Sequence, residues 1–416
     1  MKNKFQLLLL FLAHISAGIA SGIAMISIPW YFTNNLDLNS AFSLMFGIVT
    51  FIGLFWGLYS GVIIDKFNRK SILEIINIFF GLLITCISFF ILFLNPEKKI
   101  LTVLVGSVFA ITCFYYIIYY PTIYAFLQEI SKKKNYVKIN SYVEIVGQTT
   151  TVLAGSLAAI LLSGIVIFNF KINPWPIENI LLLDGISYLT AALIISFIKH
   201  KPKKNKIKEE KSIINRMKVG FKYLNRNRLI LLYAVCSHII FAFLLVELFT
   251  LLPILIKNYF QKEGHLYAIT DICYALGALL SGFFIYKLIN HFNKIKLTII
   301  LILLTSISLI ILISNKYIIS LLIISVFIGI ANSGVRIIRN SFLFDNIPNV
   351  FIGRVTSIFN SINTTIRMIL IFIFSLNYFS MKENVTDGYL LCAIILIVFC
   401  LPIIYYYKKL KSNCVI

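Results

Sequence analysis

Acidic residues are scarce in this chain of 416 residues, where 16 Asp and Glu stand against 38 Lys and Arg and charged residues make up only 13%. Soluble domains carry about 25% charged and 45–50% apolar residues. The 59% hydrophobic content and the mean hydropathy of +0.91 therefore exclude an ordinary soluble protein. The net charge of +22 would suit nucleic-acid binding. The basic residues, however, sit between apolar runs and form no groove-reading motif, which excludes that class as well.

Motifs of catalysis, of ATP binding and of metal binding are missing too. The chain has no GxxxxGK[ST], HExxH or GxSxG pattern and no CxxC pair. Six of the seven cysteines lie inside apolar runs, where cysteine acts as a small hydrophobe: Cys86, Cys113, Cys236, Cys273, Cys392 and Cys400. We therefore expect no enzyme activity, no cofactor, no bound ATP, no zinc site and no disulfide framework.

What the chain does contain is a series of apolar runs of membrane length. A spanning helix needs about 20 such residues. The predicted spans are 6–32, 41–64, 72–94, 100–128, 142–168, 179–198, 229–256, 266–289, 296–314, 317–343, 356–380 and 388–407. The runs are continuous rather than alternating, which favours helices over a barrel. The sequence thus predicts an all-α membrane protein with twelve transmembrane helices.

Lysine and arginine are distributed unequally between the two ends of these spans. With the N-terminus in the cytoplasm, 28 of them fall on the cytoplasmic side, seven on the other side and three within the spans. Cytoplasmic loops carry the excess of basic residues. We therefore expect a plasma-membrane protein with both termini in the cytoplasm.

The longest polar segment, Lys199–Arg228, lies between spans six and seven. It predicts a division into a six-helix bundle over 1–198, a cytoplasmic linker over 199–228 and a second six-helix bundle over 229–416. Within the linker, apolar residues at helical spacing predict an interfacial amphipathic helix over Ile213–Leu224.

The two halves repeat one another weakly. His14 precedes Pro29 by fifteen residues, and His238 precedes Pro253 by fifteen. Two further pairs of short matches recur at nearly the same offset: Ser60-Gly61 with Ser281-Gly282, and Ser107-Val108-Phe109 with Ser325-Val326-Phe327. Matches at one period indicate a duplicated six-helix unit.

The loop after span two carries a family resemblance. Its glycine, acid and following basic residues resemble the signature loop of the major facilitator superfamily: Gly61, Asp65, Lys66, Arg69 and Lys70. The resemblance implies the twelve-helix fold of two pseudo-repeated bundles. It also implies that these five residues form a conformational latch on the cytoplasmic side. Gly61 would let span eleven approach closely.

Three further segments resemble the drug-exporter branch of that family, which includes the macrolide-efflux proteins. They are Leu183-Asp184-Gly185-Ile186-Ser187-Tyr188, Gly220-Phe221-Lys222-Tyr223-Leu224 and Gly353-Arg354-Val355. The Phe-Asn-Arg-Lys ending of the signature loop fits the same branch. The resemblance implies export of amphipathic small molecules.

Ionisable residues inside the spans are costly in lipid and are therefore functional candidates. The candidates for proton coupling are Glu247, His14, His238, Asp184, Asp271 and Glu144. Four of them have a structural alternative: a neutral histidine can bond a carbonyl of a neighbouring helix, and Asp184 and Glu144 can be solvated at the interface or paired. Arg336 and Arg339, three residues apart on one face of span ten, can bind an anionic substrate group or form an ion pair.

We therefore expect a monomeric secondary transporter that exports an amphipathic small-molecule substrate across the lipid bilayer, with protons as the coupling ion and alternating access as the mechanism. Two alternatives stay open. The same fold could export or import another cargo, such as a siderophore, a peptide or a metabolite. The chain could also be a non-transporting membrane component of a complex.

Overall fold

A computed structural model describes residues 4–130, 136–167, 170–199, 213–347, 349–381 and 384–413. Nearly all of these residues are helical. The helices are α1 Lys4–Tyr31, α2 Asn39–Lys66, α3 Arg69–Leu94, α4 Lys98–Ile130, α5 Tyr136–Ser163, α6 Ile177–Ser196, α7 Ile213–Arg226, α8 Arg228–Val246, α9 Leu252–Ile254, α10 Gly264–His291, α11 Lys294–Ile313, α12 Ile318–Asn346, α13 Asn349–Phe374, α14 Asn377–Ser380, α15 Val385–Tyr405 and α16 Tyr407–Asn413.

Eleven segments of the described chain are long and apolar enough to cross a membrane, and a shorter apolar stretch of α13, Ile358–Phe374, accompanies them. With that stretch counted, the fold is the predicted one of twelve transmembrane helices. Ten of the predicted spans agree with the helices closely. The predicted amphipathic linker helix corresponds to α7.

Spans five and eleven were placed too far along the chain. Helix α5 ends at Ser163 rather than 168, because Gly164 adopts a left-handed φ of 71° that closes the helix. A short antiparallel hairpin follows, with Ile165 opposite Ile172. Apolar composition alone does not separate such a hairpin from a helix end. Helix α13 likewise ends at Phe374 rather than 380.

Three π-helical segments interrupt the helices of spans one and seven: Phe32–Leu36, Glu247–Leu251 and Leu255–Tyr259. The first follows Pro29, and the other two flank Pro253. Proline has no backbone N–H and so removes one hydrogen bond of the helix. Short π-helical segments within α-helices are frequent at functional positions. The two prolines noted in the sequence thus mark irregular helix ends.

The chain forms two compact units. The first comprises Met1–Leu38, Ile48–Ile207 and Glu263–Ile272, and the second comprises Asn39–Gly47, Lys208–Lys262 and Cys273–Ile416. In the first unit α3 and α1 pack mainly on α6, and α1 also packs on α5. In the second, α11 packs on α15 and α12, while α13 packs on α8 and α7.

Glycine allows close contacts between helices in each unit. A Cβ on Gly185 of α6 would lie 2.4 Å from the Oγ1 of Thr85 in α3. In the second unit, a Cβ on Gly277 would lie 2.0 Å from the carbonyl oxygen of Val326, and one on Gly329 would lie 2.1 Å from that of Tyr274. Small residues let membrane helices approach in this way. These crossings fix where the interior side chains of each unit meet.

Candidate functional site

His14 lies at the centre of a polar cluster in the first unit. It is buried in α1, with its Nδ1 3.0 Å from the hydroxyl of Tyr119 in α4. The two rings stack with centroids 5.6 Å apart. The other ring nitrogen, Nε2, is buried and has no hydrogen-bond partner among the described residues. One ring nitrogen of this buried histidine can therefore still form a hydrogen bond.

Tyrosines of α4 surround this histidine. Tyr115 and Tyr119 stack at 4.9 Å, and the hydroxyl of Tyr115 donates to Oδ1 of Asn77 in α3 over 3.1 Å. Tyr116 shares a hydrogen bond with Ser21 of α1. These tyrosines form a run in the sequence, but their spacing along α4 does not name the partners of their hydroxyl groups. Their side chains link α1, α3 and α4 through polar contacts in the interior.

Asp184 of α6 is fully buried, and neither oxygen of its carboxylate has a hydrogen-bond partner in the described part of the chain. It lies within electrostatic range of Tyr116 and Tyr188. An isolated carboxylate in such surroundings costs several kcal/mol, about as much as a broken buried ion pair, unless it is neutralised or paired. The burial argues against interfacial solvation, which the sequence left open as an alternative for Asp184, because the side chain is not exposed to solvent.

A cavity of about 80 Å³ opens beside this cluster, entirely within the first unit. Its lining includes His14 and Tyr116 together with Asp271 from the first turns of α10. Asp271 is 6% exposed, and no described residue forms a hydrogen bond or ion pair with its carboxylate. The structure thus brings His14, Asp184 and Asp271 into one region. All three residues are far from one another in the sequence.

Glu247, the remaining acid deep in the spans, lies in the second unit at the first position of a π-turn. It is buried, and its Oε1 accepts a hydrogen bond of 2.9 Å from the hydroxyl of Tyr389 in α15. Sequence reasoning missed Tyr389, because a tyrosine in a span carries no pattern that names its partner. Glu247 is therefore held by a donor, unlike Asp184.

His238 and Arg339 come together in the second unit. Nδ1 of His238 lies 2.6 Å from the carbonyl oxygen of Ala234 and must donate to it, because a carbonyl only accepts. Arg339 is 5% exposed and donates to the carbonyl of Ser237 over 3.2 Å, while its Nε has no partner among the described residues. Asn363 donates to the carbonyl of His238. Arg336 is half-buried on the same helix as Arg339.

Only part of the predicted latch lies among the described side chains. Arg69 donates to the carbonyl of Ala125 and to Glu129 of α4, both over 3.3 Å. Lys70 pairs with Glu74 at 3.1 Å and donates to the carbonyl of Ser196. Both basic residues thus have partners within the first unit. The backbone of Gly61, Asp65, Lys66 and Glu144 is helical, but the surroundings of Gly61 and the side chains of the other three lie outside what the structure describes.

The second unit has a counterpart of the Arg69 pair that the sequence reasoning did not use. Lys294, the first residue of α11, pairs with Asp345 at the end of α12. The signal was present: Phe67-Asn68-Arg69 recurs as Phe292-Asn293-Lys294. In each case the asparagine side chain caps the following helix by accepting a backbone N–H.

Within the described ranges, no three His, Cys, Asp or Glu side chains come together as metal ligands would.

Twelve apolar helices that enclose ionisable side chains define a multi-pass membrane transporter, since such side chains in the membrane mark substrate or ion pathways. The sequence model of the Major Facilitator Superfamily matches residues 10–371, which is most of the chain, and the chain belongs to that family. It is accordingly a transporter of small molecules and not an enzyme. Comparison with curated proteins finds no match.

Solved transporters share the fold over nearly the full length. A variant of the nucleoside transporter NupG is 13% identical, with a TM-score of 0.76 over 96% of this chain and 99% of its own. A D-xylose-proton symporter is 13% identical, with a TM-score of 0.70 over 94% and 96%. A bacterial homologue of the iron transporter ferroportin is 15% identical, with a TM-score of 0.68 over 95% and 98%. At these identities the likeness concerns the fold alone.

Proposed function

We propose that the chain exports amphipathic small molecules in exchange for protons, by alternating access. The observation that carries the proposal is the group formed by His14, Asp184 and Asp271 in the first unit. All three are buried, and neither acid has a cationic partner among the described residues. A buried acid is costly to keep charged and can take up and release a proton as its surroundings change.

Glu247 is a second proton-carrying candidate in this proposal. The hydroxyl of Tyr389 can stabilise its charged form by donating to Oε1. His238 is less favourable, because its Nδ1 is already committed to a carbonyl of its own helix. Glu144 stays a candidate from the sequence alone.

Export rather than import is supported by the resemblance of the signature loop to the drug-exporter branch. The structural neighbours include a nucleoside transporter, a D-xylose-proton symporter and a bacterial homologue of an iron transporter, so the fold leaves both the cargo and the direction open. We also propose that the latch includes Gly61, Asp65, Lys66, Arg69 and Lys70. In this proposal the bundles 1–198 and 229–416 are the two moving parts of a monomer, joined by the linker 199–228.

A plasma-membrane location with both termini in the cytoplasm completes the proposal. It is supported by the excess of Lys and Arg on one side of the spans. Fusing a reporter that is active only in the cytoplasm to either end tests it. Activity at one end and not at the other would contradict the topology.

Dye efflux from intact cells tests the transport function. Cells that express the chain are loaded with cationic rhodamine 6G, neutral Nile red or anionic carboxyfluorescein, and the loss of each dye is followed. We expect faster loss of at least one dye, and we expect a protonophore to abolish the difference. Efflux that survives the protonophore but stops on ATP depletion would contradict proton exchange and favour a component of an ATP-driven complex.

Substitutions connect that efflux to the buried acids. Asp184→Asn and Asp271→Asn should each slow efflux at least tenfold. Because an unpaired buried carboxylate destabilises the fold, Asp184→Asn should leave the thermal midpoint of the purified protein unchanged or raised. Glu97→Gln removes an exposed acid in the loop before α4 and serves as the control. Normal efflux by both variants would remove these acids from the mechanism.

A further inference from the structure

The cavity of the first unit has features that point to the charge of its ligand. We infer that it binds the ammonium head group of an organic cation, with Asp271 as the counter-ion and the rings of Tyr116 and Tyr120 against the cation. This inference rests on the proposed transport function for its biological meaning. The binding itself can be measured without transport.

The electrostatic argument begins with the composition of the lining. Among the described residues that line the cavity, Asp271 is the one acid and none is Lys or Arg. Asp184 adds a second buried carboxyl group, within electrostatic range of the lining residue Tyr116. A carboxylate left alone in the interior is costly. Either a proton or a bound cation removes that cost. The carboxylate therefore stabilises a bound cationic ligand and destabilises a bound anionic one.

Aromatic side chains supply the second argument. Tyr116 and Tyr120 both line the cavity, and their rings stack with centroids 5.4 Å apart. A tetraalkylammonium or protonated amine over a tyrosine face gains about 0.5–2 kcal/mol. In the tautomer whose Nδ1 donates to the hydroxyl of Tyr119, the unpaired Nε2 of His14 is an acceptor for the N–H of a primary or secondary amine. These groups recognise an ammonium with a compact apolar surround.

The dimensions of the cavity supply the third argument. The cavity volume of about 80 Å³ is several times the ~10–15 Å³ that a single water molecule requires. That suits a head group rather than a whole amphipathic molecule. At Gly147, a lining residue of α5, an added Cβ would meet no atom within 4 Å. The free space of the cavity therefore reaches this backbone position.

An anionic ligand would need a cation in the lining. Arg336 and Arg339, which raised that possibility in the sequence, both belong to the second unit and do not line this cavity. The cavity in the first unit is therefore assigned to a cation.

A matched trio of small probes tests the assignment. Choline, its neutral isostere 3,3-dimethylbutan-1-ol and the anion 3,3-dimethylbutanoate have similar shapes and differ in charge. Binding to the full-length protein in nanodiscs is measured by saturation-transfer NMR on the methyl protons, with empty nanodiscs subtracted. We expect choline to bind at least tenfold more tightly than either of the other probes. Equal or tighter binding of the alcohol or the anion would overturn the inference.

Substitutions then locate the site. Asp271→Asn should weaken choline binding at least tenfold, and Asp271→Glu should retain part of it, whereas the exposed control Glu97→Gln should change nothing. Gly147→Leu should abolish binding by filling the cavity. Its control is Gly282→Leu, at an exposed α10 position where an added Cβ also meets no atom within 4 Å. Choline binding that is unchanged in both Asp271→Asn and Gly147→Leu would overturn the inference.

These outcomes are separate from those of the proposed function, because binding is measured without a proton gradient. Selective choline binding together with efflux that resists a protonophore would sustain the inference and reject proton exchange. Protonophore-sensitive efflux with no preference for choline would do the reverse.

Discussion

At the scale of single residues, the buried acids of this protein differ in their hydrogen-bond partners. Glu247 has a hydroxyl donor from Tyr389, whereas neither oxygen of Asp184 has a partner among the described residues. In a low-dielectric interior, a hydrogen bond stabilises a polar group strongly, and a polar group without one has a high free-energy cost. A paired acid contributes to stability. An unpaired one is better explained by function than by folding.

The bond between Tyr389 and Glu247 can be tested for stability. Tyr389→Phe should lower the free energy of unfolding by about 1.5–3 kcal/mol, because a buried carboxylate loses a donor. The thermal midpoint of the protein in detergent would report this loss.

Tyr378→Phe is the matched control, since Tyr378 also donates to a carboxylate, that of Asp387, but at an exposed position. There water replaces the lost hydroxyl, so the change should stay below about 0.5 kcal/mol. A smaller effect for Tyr389→Phe than for Tyr378→Phe would show that the buried bond does not stabilise the fold.

At the scale of helices, close packing depends on positions without a side chain. Helices α10 and α12 cross where Gly277 faces the carbonyl of Val326 and Gly329 faces that of Tyr274. The approach is so close that a methyl group at either glycine would overlap backbone oxygen. The order of elements alone would not reveal which glycines have this role, because glycine also occurs at exposed helical positions such as Gly282.

Replacing glycine with alanine should therefore change the free energy of unfolding in opposite directions at Gly277 and at Gly282. Gly277→Ala should lower the free energy of unfolding by about 1–3 kcal/mol, because backbone cannot move aside as a flexible side chain can. Gly282→Ala, with free space around it, should be neutral or stabilise by up to about 1 kcal/mol through helix propensity. Thermal midpoints of the two variants measure the difference. Equal midpoints would contradict the proposed packing role of Gly277.

At the scale of the whole molecule, a repeat appears in the ion pairs. Arg69 with Glu129 in the first unit corresponds to Lys294 with Asp345 in the second. Each pair joins the start of one helix to the end of the next, and each follows a Phe-Asn motif. The acids differ in exposure, with side chains 9% exposed for Glu129 and 57% for Asp345.

That difference predicts unequal contributions from two equivalent pairs. Glu129→Gln should cost about 1–3 kcal/mol, because the pair is sheltered. Asp345→Asn should cost at most about 1 kcal/mol, because exposed ion pairs are weak. Denaturation of each variant at low and high salt would measure both, and the Asp345 effect should vanish first as salt rises. A larger loss in Asp345→Asn would contradict the argument from burial.

Most of the fold could be predicted from the sequence, whereas the contacts of the site could not. The apolar runs located ten of the twelve spans closely, because lipid admits only long apolar helices. They misplaced the ends of spans five and eleven, where an apolar hairpin and a loop continue the same composition. Among the candidates, His14 and His238 occupy equivalent positions in the sequence. Yet one bonds Tyr119 of another helix and the other bonds Ala234 of its own.

The sequence by itself determined the number of membrane-spanning helices, the membrane class and the family resemblance, since these depend on composition and spacing along the chain. Tertiary structure alone decided that Asp271, from α10, lines a cavity with His14 and Tyr116. It likewise decided that Glu247 has a donor and Asp184 none among the described residues. The reason is physical: hydropathy places a helix in the membrane, but the partner of a buried polar group depends on how helices from distant parts of the chain pack.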